Sequence, residues 1–488
     1  MAKNQHLNIN KNLAIFGILL TAIAVQVGLF KGYVSYSGVF MMFAVLWFFV
    51  LFISKPYIVL NYLMLTWGAF HIFLNEQVIF TFQAISLNFN KILGVTMLLG
   101  LGLYLSVEML KNPVTLIFVD KIQTIYFALS VYAGISVIYS PFRVQALVEW
   151  LKIFSGTILF LGIPVIYKDE RKQKIFIKFL LFAGIIAAIL TIFSYFLSRY
   201  GVIGTPLLKK FLVFSSGVAR AKGTLGGAGA TGAFLLVELA ILLLFNDIFA
   251  EKKGLIYFGV GVIIIAIFTT LTRASILGLF MFFILYSYGK MKIHREITRF
   301  LKSIIGIVIV VALSLTLIGE SALRNRLEDV PFIGKYTSLK SPQIGQGRIS
   351  QWTTLINAYL KDFNLIEKIF GKGLYATHVK YHGPYAEVTS IFGSHNDFIY
   401  LLVNLGIVGL MLYLYFLYKC LRLSQNLCNS ENKRKKLIGN IIKVSVLTYS
   451  LTQSMFLDTI NTTGHRWFFL SLLAIGMSMG KKENKETL

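Results

Sequence analysis

Apolar runs of about 17 to 22 residues, separated by short loops rich in Lys and Arg, recur along nearly the whole chain. Runs of this length match the hydrocarbon thickness of a bilayer, where no water is present to satisfy backbone N–H and C=O groups. Each run must therefore close its hydrogen bonds within itself, as a helix does. The runs lack the strict period-2 alternation of a transmembrane barrel strand. Composition agrees: 56% of the 488 residues are hydrophobic and 14% charged, too apolar for a soluble chain of this length. The expected fold is an all-α integral membrane protein.

Candidate spans fall near 12–30, 38–54, 58–74, 92–107, 122–139, 153–167, 176–197, 231–247, 255–271, 274–288, 303–319, 397–418, 440–457 and 467–480, fourteen in all. The first run continues to about Phe30, past Thr21-Ala22-Ile23-Ala24, and is longer than a secretory h-region, so it reads as a retained anchor. Counted from an inside N-terminus, Lys168–Lys174, Lys290–Arg299, Arg422–Lys436 and Lys481–Lys482 all fall on the cytoplasmic side, as the positive-inside rule requires. Both termini are then cytoplasmic, in a multi-pass protein of the cell membrane. The chain divides into a bundle of about eleven spans (1–319), a large extracytoplasmic loop (320–396), the last three spans (397–480) and a tail (481–488).

The formal net charge of +26 resides mainly in these loops, where it sets topology and meets anionic headgroups; nucleic-acid binding is not expected. Cys420 and Cys428 share a basic loop without metal-ligand or redox spacing and read as reduced thiols. Within the large loop, Trp352, Leu355, Ile356, Tyr359, Leu360 and Phe363 form the stripe of an amphipathic helix, which either lies on lipid or caps the bundle.

Basic residues on the outer side are the informative ones, because the topology rule disfavours them there. Arg143, Arg220, Arg273 and Arg348 stand out. Arg273 lies between two apolar runs with almost no loop around it, where an arginine must snorkel to lipid phosphate or bind an anion in a cavity. Arg220 and Lys222 open a Gly-rich stretch ending at Ala230, readable as a phosphate cradle or as a close-packing device. His395, followed by Asn396 and Asp397, sits where the large loop meets the next span. A histidine titrates near neutrality and can take a hydroxyl proton, with Asp397 near enough in sequence to orient it; a plain helix-cap role is the alternative. His378 and His382 lack convincing further ligands, so no metal and no cofactor is expected.

Arg220 with Gly223-Thr224, Thr272-Arg273-Ala274-Ser275, Gly347-Arg348-Ile349-Ser350-Gln351-Trp352, and His395-Asn396 followed by Gly406-x-x-Gly409 resemble, in this order, the motifs of the O-antigen ligase and polysaccharide polymerase superfamily. The resemblance implies a GT-C-like helical membrane glycosyltransferase acting on glycans carried by a polyprenyl diphosphate such as undecaprenyl diphosphate. It further implies Arg220, Arg273 and Arg348 as diphosphate ligands and His395 as the base, with Arg143, Lys222, Asn396 and Asp397 supporting. Leu410 stands where the ligase pattern has Thr, and Asn404 stands where many relatives carry an acid, so a repeat-unit polymerase is expected rather than a ligase. Other polysaccharide-assembly proteins are natural partners. The Lys, Ile, Asn and Phe bias suits a low-GC bacterium, with a capsule or teichuronic-acid type of product. A lipid-linked glycan flippase and an assembly scaffold are the rival classes.

Overall fold

The computed structural model describes residues 51–111 except 53, 76–77 and 83–84; 120–199; 212–249 except 216–217; 253–298 except 296; 305–306; 348–379; 394–457; and 463–481. The helices are α1 Pro56–Asn75, α2 Phe89–Lys111, α3 Lys121–Tyr139, α4 Arg143–Ile166, α5 Glu170–Arg199, α6 Ala228–Phe249, α7 Lys253–Thr269 and α8 Arg273–His294. They continue as α9 Arg348–Lys361, α10 Leu365–Phe370, α11 Asp397–Cys428, α12 Lys433–Thr448, α13 Ser454–Phe456 and α14 Thr463–Lys481. Two short antiparallel hairpins, β1 Val78–Phe82 with β2 Ile85–Asn88 and β3 Leu212–Ser215 with β4 Val218–Ala221, are the strands among the described residues. Neither hairpin was legible in the apolar pattern.

Of the fourteen expected spans, those near 12–30, 38–54 and 303–319 lie wholly or almost wholly outside the described residues, and each of the other eleven coincides with a helix. Six of these helices, α3, α4, α5, α6, α8 and α11, are long and apolar enough to cross a membrane. Helix α4 starts at Arg143 rather than near 153. Glu149 and Lys152 interrupt the apolar window, yet Glu149 is buried and accepts a 2.6 Å hydrogen bond from the Tyr400 hydroxyl.

Helix α6 is apolar around nearly its whole circumference, with Glu238 the one acid in its middle, and sits at the centre with 89% of its most apolar window buried, as a helix without a polar face must be. Phe234 meets Phe468 of α14 edge-on at 4.6 Å, and a Cβ on Gly68 of α1 would fall 2.8 Å from the same Phe468 ring. The basic clusters gather at one end of the bundle. There Lys290 pairs with Asp247 at 2.6 Å, Arg434 pairs with Glu170 at 2.5 Å, and Asn440 donates to the Tyr286 carbonyl.

Helix α11 is broken at Gly406, whose φ of 65° and ψ of −167° leave the helical region. The break exposes carbonyls of the preceding turn to the segment after α10: Lys372 N–H donates to Val403 and Gly373 N–H to Asn404. The buried Asn404 side chain accepts from Thr377 N–H at 3.1 Å. An acid at this position would supply the same acceptor oxygen. A Cβ on Gly406 would lie 2.3 Å from the Ile369 carbonyl oxygen, so the glycine permits both the turn and the close approach. Gly406→Ala is therefore expected to cost more than the roughly 1–3 kcal/mol of a strained backbone alone, read as a lower melting midpoint of the detergent-purified protein.

Candidate active site

At the end opposite the basic clusters, four chain segments meet. The first carries Arg220, in β4. Its Nε donates to the Thr270 carbonyl and its Nη2 to Thr272 Oγ1, both at 3.1 Å. Those acceptors belong to the three-residue turn Thr270–Thr272 between α7 and α8, in which Leu271 takes a left-handed φ of 48°. So tight a turn leaves the Thr270 carbonyl without a helical partner, and the arginine satisfies it.

Arg273 follows at the first position of α8 and is half-buried. The next residues of α8 are held by Gln453: its Nε2 donates to the Ala274 carbonyl at 3.1 Å, and Ser275 Oγ lies 3.5 Å from its Oε1. Gln453 closes the π-helical turn Tyr449–Gln453 that joins α12 to α13. Helix α6 starts against both partners, since a Cβ on Gly232 would sit 2.3 Å from Ser275 Oγ and one on Gly229 2.7 Å from Leu457.

Just beyond Gln453 the third and fourth segments attach. Arg348, first residue of α9, donates from Nη1 to the Phe456 carbonyl at 2.9 Å. Asn396 donates from Nδ2 to the Met455 carbonyl at 3.1 Å, while its Oδ1 caps α11 by accepting from Phe398 N–H and Ile399 N–H. Trp352 Nε1 donates to the Ser394 carbonyl at 2.7 Å, tying α9 to the same loop. His395 lies between these anchors, half-buried and in the left-handed region at φ 49°. A non-glycine residue there is held by its surroundings.

Arg220, Arg273 and Arg348 are thus half-buried and joined, through Thr270–Ser275 and Gln453–Phe456, to the loop that carries His395. Arg143 belongs to a different cluster: it is exposed at the start of α4, beside Phe142, whose ring meets Tyr375 edge-on. Asp397 is fully buried, in the electrostatic environment of Tyr126 and Tyr413, so its surroundings extend into the bundle. The Gly-rich stretch is closely packed at its start, while Gly226 has open space around it and Gly227 nearly so. Thr231 Oγ1 donates to the Lys222 carbonyl, Thr224 Oγ1 to the Gly68 carbonyl, and a Cβ on Gly223 would overlap Thr231. His378 stacks on Tyr375 at 3.8 Å, and His382 lies outside the described residues.

Three residues went unread in the sequence. Gln453 lay inside an apolar run, where an amide flanked by Thr452 and Ser454 was the available signal. Arg466 is 3% exposed and donates from Nη2 to the Lys152 carbonyl, near the start of α14. It meets the same criterion that singled out Arg273, a cation next to an apolar run on the side that the expected topology places outside. Glu149 had the signal of an acid between apolar stretches.

Residues 258–414 match the family model described as O-antigen ligase. This match, over about a third of the chain, supports the resemblance to the O-antigen ligase and polymerase superfamily. The matched segment runs from α7 into α11 and includes Arg273, Arg348, His395 and the Gly406 break, whereas Arg220 and Gln453 reach it from outside by hydrogen bonds. No curated protein matches the chain. Members of this superfamily transfer glycans, and the match supports a glycan-processing enzyme with a lipid-linked substrate.

Asn396 holds two roles with one side chain, and they can be separated. Asn396→Ala should lose the α11 cap, about 0.5–2 kcal/mol, together with the Met455 tie. Asn396→Asp keeps the cap acceptor and loses only the tie. Thermal midpoints in the order wild type, Asp, Ala are the expected result.

Proposed function

We propose that the protein polymerises polyprenyl-diphosphate-linked oligosaccharide repeat units into a surface polysaccharide at the outer face of the cytoplasmic membrane, within a fourteen-span GT-C-like bundle whose termini are both cytoplasmic. The observation that carries this reading is the gathering of Arg220, Arg273, Arg348 and the His395 loop at the bundle end opposite the basic clusters. That end is the outer one under the positive-inside rule.

In the proposed reaction the oxygen of an acceptor sugar hydroxyl attacks the anomeric carbon of the lipid-linked glycan. The C–O bond to the diphosphate breaks, and its electron pair leaves with the polyprenyl diphosphate. Negative charge grows on that leaving group, and the guanidinium groups, those of Arg220 and Arg348 already fixed by backbone carbonyls, stabilise it. His395 takes the hydroxyl proton. One displacement inverts the anomeric centre. No step calls for a metal. Polymerase is favoured over ligase by Leu410 in place of the ligase threonine; capsule and teichuronic-acid types are the products this reading favours.

Purified protein in liposomes, given polyprenyl-diphosphate-linked repeat units without nucleotide sugar or divalent metal, should build a ladder of lengthening lipid-linked glycan. His395→Ala and Arg273→Ala, each checked for folding, should abolish the ladder. Transfer of one finished glycan to a separate acceptor would turn the reading to a ligase. Movement of donor across the bilayer with no ladder would turn it to a flippase.

A further inference from the structure

Helix α9 presents its two apolar faces to different surroundings. Leu355, Tyr359 and Phe363 are buried against Ile399 and Val403 of α11, which makes α9 a cap on the bundle. Burial also raises the Tyr359 hydroxyl pKa above its ordinary value. Ile356 and Leu360 remain 38% and 57% exposed, and α10 adds Leu365 at 73%, Ile366 at 70% and Phe370 at 45%. Five large apolar side chains on one short unit are thus exposed among the described residues, too many to be the scattered hydrophobics of an ordinary wetted surface.

The height of this unit indicates what covers it. The Phe370 carbonyl oxygen lies 2.9 Å from the Tyr139 hydroxyl and 3.0 Å from that of Tyr132. Tyr132 precedes Tyr139 by about two turns of α3, roughly 10 Å along the axis. The Leu374 carbonyl accepts from Ser140 Oγ. The C-terminal end of α10 therefore lies beside the last turns of a membrane-crossing helix, not above them. Exposed apolar side chains of α3, Ile135 and Ile138, and of α11, Ile407 and Met411, belong to the two helices that α10 touches. Between residues 361 and 370 the charged groups, Lys361 and Lys368 with Asp362 and Glu367, balance one another, so the exposed character there is apolar rather than basic.

We propose that residues 365–374 form a re-entrant element of the outer membrane interface, with Leu365, Ile366 and Phe370 immersed among lipid chains. Non-helical backbone is tolerated at this depth only where protein satisfies it. Here the carbonyls of Phe370 and Leu374 and the N–H groups of Lys372 and Gly373 all have protein partners. The occupant is the bilayer, because the patch continues the lipid-facing flanks of α3 and α11. Its consequence is positional. A capping box at Asn364 and Glu367 and the bond from Tyr359 to the Lys368 carbonyl make α9 and α10 one rigid unit. Depth set by α10 then sets the height of Arg348, at the far end of α9, relative to the lipid phosphates. This last step rests on the diphosphate-binding reading of Arg348; the immersion does not.

Immersion is measurable without turnover. In full-length protein with Cys420 and Cys428 replaced by Ala, Ile366→Cys and Glu431→Cys are labelled with a polarity-sensitive fluorophore and reconstituted into liposomes. Glu431 is exposed in the basic loop and reports water. The proposal expects label 366 to be quenched several-fold more by lipids carrying a chain nitroxide than label 431, and several-fold less by aqueous iodide. Iodide quenching at 366 equal to that at 431 would overturn it. Leu365→Cys, read in the same way, decides the matter should the Ile366 variant fail to fold. A failed polymerase assay would leave this result untouched.

Discussion

Backbone carbonyls freed where helices stop or break are the feature on which the site end of this protein depends. Hydrocarbon offers them no water, so each must find a donor within the protein. Thr270, Phe456 and Met455 take theirs from Arg220, Arg348 and Asn396. In each case a side chain from a distant segment closes a gap left by a local interruption. Remove the interruptions and the bundle would be a set of plain spans with nothing to draw these residues together. The π-helical turn at Tyr449–Gln453 is the central interruption, since the three residues that follow it accept from both α9 and the His395 loop.

The division between what the sequence revealed and what it concealed follows the same line. Helices were legible because hydrocarbon forces every apolar run to adopt the same local solution, and eleven of the fourteen expected spans could be matched to helices on that ground alone. The arginines were legible because a charge on the wrong side of the topology rule needs a reason. Their carbonyl partners were not, because a backbone oxygen carries no residue identity. Gln453 was hidden by its apolar neighbours, and Glu149 by its cost to the hydropathy of α4. Asn404 looked like a departure from a motif, although its Oδ1 offers Thr377 N–H an acceptor that an acid would also offer. The Gly-rich stretch had two readings, and the contacts of Thr231 and Gly68 show close packing at its start, which composition alone does not reveal.

The matched family segment is incomplete as a physical unit. It holds Arg273, Arg348 and His395, but the residues that join them come from 453–456, and the partner of the α7–α8 turn comes from Arg220 in β4. A chain reduced to residues 258–414 would leave the Thr270 carbonyl and the Ala274 carbonyl without those donors. The family motifs are therefore best understood as the half of the site that one segment supplies.

Rigidity also bears on the choice between an enzyme and a transporter. An arginine that serves a moving gate must release its partners on each cycle, whereas one that stabilises a developing charge works best when it is already fixed. Arg220 bridges β4 to the α7–α8 turn, Arg348 bridges α9 to α13, and Gln453 bridges the π-helical turn to α8. Sliding any one of these elements would break several hydrogen bonds together, and hydrogen bonds to charged groups are worth about 1.5–3 kcal/mol each. The arrangement favours a site that stays assembled while substrate passes through it, and so favours glycan transfer over alternating access.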